Sequence, residues 1–97
     1  MSGLPHYKLQ AVPTATAAAV GAAGQRLMGF LIKGGSDASG VEFKNALTDT
    51  GTVLINAPCP LADSRFVDLS DLGGVKFDTG IFCKPSGTAA IVYCWIG

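Results

Sequence analysis

Three cysteines and one histidine are the side chains of this 97-residue chain with the widest chemical repertoire. Cys59, Cys83 and Cys94 form no C-x-x-C pair, and His6 stands close to the N-terminus. A structural zinc site needs four cysteine or histidine ligands, so the remote His6 would have to complete it. We therefore expect three small, buried, reduced cysteines and no metal or other cofactor.

The spacing of the last two cysteines also argues against a disulfide. The sequence predicts a final hairpin that turns at residues 85–87. In that register Cys83 lies opposite Ala89, whereas Cys94 lies opposite Asp78. We therefore expect Cys83 and Cys94 to lie out of bonding reach of each other.

The histidine and the acidic residues fit no catalytic or calcium-binding pattern. A general base must be held rigidly beside its partner, and we expect His6 to lie in a terminal arm. The acidic residues of the last third lack the D-x-D-x-D-G spacing of a calcium loop and are typical of turns. They are Asp63, Asp68, Asp71 and Asp78. We expect that the chain is not an enzyme.

The paired glycines fit no phosphate-binding motif. The pairs at residues 34–35 and 73–74 match neither G-x-G-x-x-G nor the Walker lysine pattern. Each pair stands between two candidate strands. We therefore expect both pairs to form turns with positive φ.

The composition points to a surface that other protein covers. Hydrophobic residues make up 48% of the chain, charged residues make up only 14%, and the formal net charge is zero. This composition excludes a disordered chain, and it lacks the basic excess that binds nucleic acid without sequence preference. A domain of this size leaves much of its surface exposed, and few charges are available to cover it. We therefore expect association with other protein subunits.

An uncharged run over residues 9–24 raises the question of a signal peptide or a membrane span. Proline, threonine and glutamine interrupt the run, and it has no leucine-rich core. Its alanines and glycines contribute little transfer free energy. We therefore expect neither a signal peptide nor a membrane partner, and we expect assembly in a reducing cytoplasm.

Short alternating segments at roughly ten-residue spacing predict an all-β fold. We expect an N-terminal arm over residues 1–6 and a single domain over residues 7–97. The domain is predicted to be a compact antiparallel β-sandwich, jelly-roll-like, with seven to nine short strands. Residues 14–24 are ambiguous between helix and strand, and the interrupting glycines favour a strand with a loop.

Several apolar residues are candidates for contact with another subunit. The strand over residues 26–33 and the final strand are both apolar on two faces, so we expect both faces to be covered. The final strand has no lysine or arginine among its aromatics, which favours core or subunit contact over sugar or base stacking. The candidate interface residues are Leu4, Pro5, Tyr7, Leu31, Tyr93 and Trp95.

The order of these motifs resembles small virion proteins of tailed bacteriophages, including marine and cyanobacterial ones. The resemblance covers residues 8–97 and is carried by five segments. They are KLQAV at 8–12, RLMGFLIKGG at 26–35, VEFKN at 41–45, GGVKFDTGIF at 73–82 and GTAAIVY at 87–93.

This resemblance implies a β-sandwich that decorates or cements a capsid, with no catalytic residue to carry over. Its partners would be the major capsid protein and further copies of the same chain. It would lie on the capsid surface of the virion after assembly in the host cytoplasm. The alternative is a head-fibre or tail component, including a receptor- or glycan-binding module, for which Tyr93 and Trp95 would form the exposed platform.

Overall fold

The computed structural model describes residues 8–13, 17–35, 37–59 and 63–97 of the chain. These residues form an all-β sandwich of nine strands, which confirms the predicted fold class. The predicted arm over residues 1–6 lies outside the described residues. The strands are β1 (Lys8–Pro13), β2 (Ala18–Ala22), β3 (Arg26–Lys33), β4 (Ser39–Asn45), β5 (Thr52–Cys59), β6 (Ser64–Asp68), β7 (Val75–Lys76), β8 (Gly80–Ser86) and β9 (Ile91–Ile96).

The strands pair in a nested order that defines a jelly roll. One sheet has the order β1-β9-β3-β6, with the two-residue β7 also paired to β3, and the other has the order β2-β8-β4-β5. The first strand therefore pairs with the last, the second with β8, the third with β6, and the fourth with the fifth. Every pairing is antiparallel. This is the pattern of a long hairpin rolled into two sheets.

The core forms where the inward faces of the two sheets meet. Phe30 of β3 and Phe43 of β4 are both essentially fully buried, and their ring centroids lie 5.0 Å apart. Val41 joins Phe43 in the core while Glu42 and Lys44 point outward, as the alternation of β4 predicts. Burial of such side chains supplies most of the free energy that holds two sheets together.

A bulge in β3 changes which residues of that strand face the core. The alternation predicts Met28 on the same face as Phe30 and Ile32, with Leu27 on the opposite face. The register shifts between Leu27 and Gly29, and it is Leu27 that joins Phe30 and Ile32 in the core cluster. One extra residue in a strand reverses the alternation beyond it, so this part of the prediction was wrong.

The predicted hairpin of the last two strands is also wrong. β8 continues through the predicted turn to Ser86 and pairs with β2 and β4, whereas β9 pairs with β1 and β3 in the other sheet. Gly87 (φ 103°) and Ala89 (φ 62°) adopt left-handed backbone conformations where the chain crosses between the sheets. The Asp37 carboxylate fixes this crossing by accepting hydrogen bonds from Thr88 N (2.6 Å) and Thr88 Oγ1 (3.0 Å).

This topology brings together the two cysteines that the hairpin would have kept apart. Cys83 on β8 and Cys94 on β9 face each other across the core, with 3.8 Å between their sulfur atoms. All three cysteines are buried, as the sequence predicts. The expectation that Cys83 and Cys94 lie out of each other's reach was wrong, because their strands belong to facing sheets.

The two glycine pairs have different structural roles. Gly73 and Gly74 have φ values of 77° and 79°, which confirms the predicted positive-φ turn at residues 73–74. Gly34 and Gly35 do not adopt positive φ, so the same prediction for this pair was wrong. Gly35 is required for space instead, because a Cβ atom there would collide with the carbonyl oxygen of Thr88. Across the residues described, there is no helix of the length and apolar character needed to cross a membrane.

Candidate protein-binding face

The outer side of the five-stranded sheet carries a continuous apolar surface, which we call the aromatic face. Strand register places its side chains in three cross-strand rows, and the middle row runs across all four long strands of the sheet. The inward positions of β9 are buried in the core cluster, so the alternate positions point outward. The face consists of Leu9, Ala11, Leu31, Phe66, Ile91, Tyr93 and Trp95.

Two aromatic rings meet above the central strand of this face. The ring centroids of Trp95 on β9 and Phe66 on β6 lie 5.8 Å apart in an edge-to-face arrangement. Their strands are both neighbours of β3, where Gly29 occupies the position next to Trp95 and has no side chain to separate the rings. Edge-to-face pairs are favourable beyond their buried area and hold both rings in fixed positions.

The aromatic face is open to solvent. Leu9 is 54% exposed and Phe66 is 51% exposed, while Leu31, Tyr93 and Trp95 are half-buried by their neighbours on the sheet. A single exposed apolar side chain is ordinary, but a contiguous set of this kind marks an interaction surface. We expected both faces of β3 and β9 to be covered. Within this chain only the face towards the core is covered, and the outer face is open to solvent.

Charged side chains lie only at the margins of the aromatic face, within the described residues. The row of Trp95 ends at Asp68, and the row of Ile91 contains Lys33. Oδ1 of Asp68 accepts hydrogen bonds from the backbone N (2.9 Å) and the Oγ (2.6 Å) of Ser70, which hold this carboxylate at the rim. The face is therefore apolar over most of its extent, with single charges, Asp68 and Lys33, at two of its margins.

The outer side of the other sheet carries more charged side chains, together with the exposed Val53, and we call it the charged face. It presents Glu42, Lys44 and Lys84, and Asp49 from the β4–β5 loop lies between the two lysines. The Asp49 carboxylate pairs with the Lys44 ammonium and, through its other oxygen, with the Lys84 ammonium at 3.0 Å. Hydrogen bonds from Lys44 and Lys84 lower the pKa of Asp49, and Asp49 in turn raises the pKa of Lys84.

The described part of the chain contains no concave site. No pocket opens on it, and it groups no three metal-ligating side chains. Substrates and cofactors usually bind in clefts that bury most of their surface. The aromatic face extends instead across the four long strands of one sheet.

The structure brings together three of the six interface residues that the sequence singles out. Leu31, Tyr93 and Trp95 lie side by side on the aromatic face, and Tyr93 and Leu31 are direct cross-strand neighbours. Leu4, Pro5 and Tyr7 lie outside the described residues.

Sequence reasoning missed the two exposed large apolar members of the aromatic face, Leu9 and Phe66. Leu9 alternates with the inward-facing Val12, so the pattern of β1 already placed it outward. Phe66 gave no such signal, because β6 follows no regular alternation. Its membership of the face depends on the pairing of β6 with β3, which is a long-range property.

Comparison with known proteins adds no relative to this picture. No protein-family model matches the sequence, and no curated protein matches it.

Proposed function

We propose that this chain is a structural virion protein that binds a bacteriophage capsid through its aromatic face and stabilises the shell. The observation that carries the proposal is the aromatic face itself: a solvent-open set of aromatic and aliphatic side chains with charges at its rim. Such a face gains free energy when another protein removes it from water. We infer the bacteriophage capsid as the partner because residues 8–97 resemble phage virion proteins.

The size of the aromatic face favours a protein that acts in many copies. Four strands spaced about 4.8 Å apart, each about six residues long, span a plane of about 400 Å². A standard interface buries about 800 Å² on each partner, so one such face supports modest affinity. On a symmetric shell, repeated contacts through linked subunits add avidity that a single contact lacks.

The jelly roll is consistent with this role but does not establish it. The fold occurs in viral capsid domains and also in lectin domains, so it favours two functional classes equally. Function has to be argued from the surface, because one fold hosts many unrelated activities. The aromatic face is the surface that distinguishes this chain.

The proposed mechanism is mechanical stabilisation. A copy that rests across adjacent capsid subunits must be detached before those subunits separate. Any ligand that binds the intact shell and not the ruptured one stabilises the shell by mass action. The protein therefore needs no reactive group, and we assign it no catalytic residue.

Capsid binding tests the proposal directly. Expanded capsids that lack the protein are mixed with it, and binding is measured by co-sedimentation and the melting temperature of the shell by calorimetry. We expect the wild-type protein to co-sediment and to raise the capsid melting temperature. Phe66→Lys should abolish both effects, because it places a charge within the apolar surface and removes the ring that packs against Trp95.

Leu72→Lys is the matched control for this experiment. Leu72 is 78% exposed, more than Phe66, but it lies in the 3-10 turn over Ser70–Leu72, outside the aromatic face. The Leu72→Lys protein should bind capsids as the wild type does. Equal binding by the Phe66→Lys and wild-type proteins would refute the role of the aromatic face, and absence of wild-type binding would refute the capsid as partner.

A glycan-binding role in a fibre or tail is the second candidate. Trp95 stands in one cross-strand row with Asp68, and sugar sites combine an aromatic platform with a carboxylate. A glycan array separates the two functions, because a glycan-binding protein would retain host polysaccharide and leave the melting temperature of capsids unchanged. Under the preferred proposal the array shows no retained sugar.

A further inference from the structure

The two cysteines at the centre of the sandwich are placed as a pair. Cys83 lies on β8, between β2 and β4, and Cys94 lies on β9, between β1 and β3. Both side chains have no solvent exposure, and their sulfur atoms lie 3.8 Å apart. Each sheet thus contributes one thiol from an interior strand to the same point of the core.

The third cysteine is separate from this pair. Cys59 lies at the end of the edge strand β5, and its thiol donates a hydrogen bond of 3.3 Å to the carbonyl oxygen of Asp63. It is also buried, so burial alone does not distinguish it. Only Cys83 and Cys94 face another thiol, which makes Cys59 an internal control for any test of the pair.

We propose that Cys83 and Cys94 form a disulfide that joins the two sheets when the chain folds in the presence of a small-molecule disulfide. A disulfide has a sulfur–sulfur length of about 2.05 Å, so each sulfur would move by about 0.9 Å, which side-chain rotation can contribute. No other part of the chain has to change partners, because both cysteines already point at each other.

The reaction balances with glutathione disulfide as the oxidant. The thiolate of one cysteine attacks glutathione disulfide, forms a mixed disulfide and releases one glutathione thiolate. The thiolate of the other cysteine then attacks the protein sulfur of that mixed disulfide, forms the Cys83–Cys94 bond and releases the second glutathione. Two thiol hydrogens and two electrons pass to the oxidant, which becomes two reduced glutathione molecules.

Burial determines when this reaction takes place. The hydrogen bond from the Cys94 thiol and the loss of solvent raise the pKa of the Cys83 thiol, so little of the reactive thiolate exists in the folded protein. The closed core also leaves no room for a glutathione adduct. Oxidation therefore occurs on the folding chain or during opening of the sandwich, and the folded reduced protein reacts slowly.

Refolding from denaturant tests the proposal on the wild-type chain. One sample is refolded with oxidised and reduced glutathione and another with a strong reductant, and both are then unfolded in denaturant, alkylated there and digested with trypsin. The Lys84–Pro85 bond resists trypsin, so Cys83 and Cys94 remain in one peptide, residues 77–97. We expect this peptide to be two hydrogens lighter and unalkylated in the oxidised sample, while Cys59 is alkylated in both samples.

Thermal unfolding provides the second measurement. A bond that closes a short loop of the unfolded chain should raise the melting temperature of the oxidised protein by about 10 °C. The Cys59→Ala protein should keep this increase, whereas the Cys94→Ala protein should lose it. If Cys94→Ala does not fold, the peptide masses of the wild type still decide the question.

Three outcomes would overturn the inference. The first is alkylation of all three cysteines after oxidative refolding. The second is a linkage that contains the Cys59 peptide in place of the Cys83–Cys94 bond. The third is an oxidised protein that carries the bond and melts no higher than the reduced protein.

Discussion

The two outer faces of the sandwich differ in their side chains although both lie on sheets with four long strands. The aromatic face exposes Leu9, Phe66 and partly Trp95, with charges at its rim. The charged face places two lysines around one carboxylate, Asp49. Water forms hydrogen bonds with the charged groups of the charged face. Hydration of the apolar side chains of the aromatic face is unfavourable in free energy. The difference supports the proposal that the aromatic face, rather than the charged face, contacts a partner.

The largest expected difference is between two alanine variants, one that replaces a phenylalanine of the core and one that replaces a phenylalanine of the aromatic face. The quantity compared is the loss in free energy of unfolding. Phe43→Ala removes a fully buried ring that packs on Phe30, and we expect it to lower the free energy of unfolding by about 3–5 kcal/mol. Phe66→Ala should lower it by about 1 kcal/mol or less, because half of that ring is already in water. Urea denaturation measures both values. Equal losses would mean that the aromatic face serves folding rather than binding.

Trp95→Ala should weaken capsid binding by about 30-fold, or about 2 kcal/mol, as for a tryptophan at the centre of an interface. The control is Val53→Ala, because Val53 is 41% exposed on the outer side of the other sheet, paired with Lys44. A titration of labelled protein with capsids gives both affinities. A loss of affinity in the Val53→Ala protein equal to that of Trp95→Ala would remove the distinction between the faces.

Ala89→Gly should stabilise the protein without changing either face. Ala89 has φ 62°, a conformation that costs an L-residue about 1–2 kcal/mol. Glycine removes this strain, but its greater freedom in the unfolded chain cancels part of the gain. We expect a net gain of about 0.5–1 kcal/mol in urea denaturation and unchanged capsid affinity. Gly87→Ala is the opposite change, since its Cβ would lie 2.6 Å from Ser39 Oγ, and it should destabilise. Stabilisation by Gly87→Ala would contradict this account of the crossing.

Asp49→Asn should have the smallest effect, and the effect should depend on pH. The folded-state pKa of Asp49 is lowered, so its ion pairs stabilise the protein above the ordinary carboxyl pKa of about 4 and are lost as pH falls through the lowered value. The melting temperature of the variant should be lower than that of the wild type by about 2 °C at most at pH 7, and the difference should shrink as pH falls below the ordinary carboxyl pKa.

The salt dependence of the melting temperature tests whether ion pairs cause the effect of Asp49→Asn. The difference between Asp49→Asn and wild type should shrink in 1 M NaCl, because salt screens exposed ion pairs. Capsid affinity through the aromatic face should not fall in the same salt. Capsid binding that weakens steeply with salt would show that the charged face, and not the aromatic face, meets the shell.

The sequence predicts the strands better than their partners. Alternation along β4 correctly separates inward Phe43 from outward Lys44, and alternation along β9 correctly places Val92 and Tyr93 on opposite faces, because that pattern is local. The pairing of β8 and β9 depends on the whole core. Turn residues at 85–87 favour a hairpin locally, but burial of Cys83 and Cys94 between two sheets favours the crossing.

For the aromatic face too, local patterns could be predicted from the sequence and long-range strand pairing could not. Alternation along the final strand places Tyr93 and Trp95 on one face, but both faces of that strand are apolar, so the sequence does not decide which face points outward. Phe66 becomes their neighbour only because β6 pairs with β3, and the paired residues are 31 to 39 positions apart in the chain, as in Leu31–Phe66 (35 positions). A bulge of one residue in β3 was likewise invisible, since alternation alone cannot locate an inserted residue.

The most direct test uses the single tryptophan of the chain as a reporter. Trp95 is replaced biosynthetically by 5-hydroxytryptophan, which is excited apart from the tryptophans of the capsid, and its quenching by acrylamide is measured before and after capsid binding. If the aromatic face meets the shell, quenching falls sharply in the bound protein. Quenching that stays unchanged while the protein co-sediments with capsids would contradict the central claim.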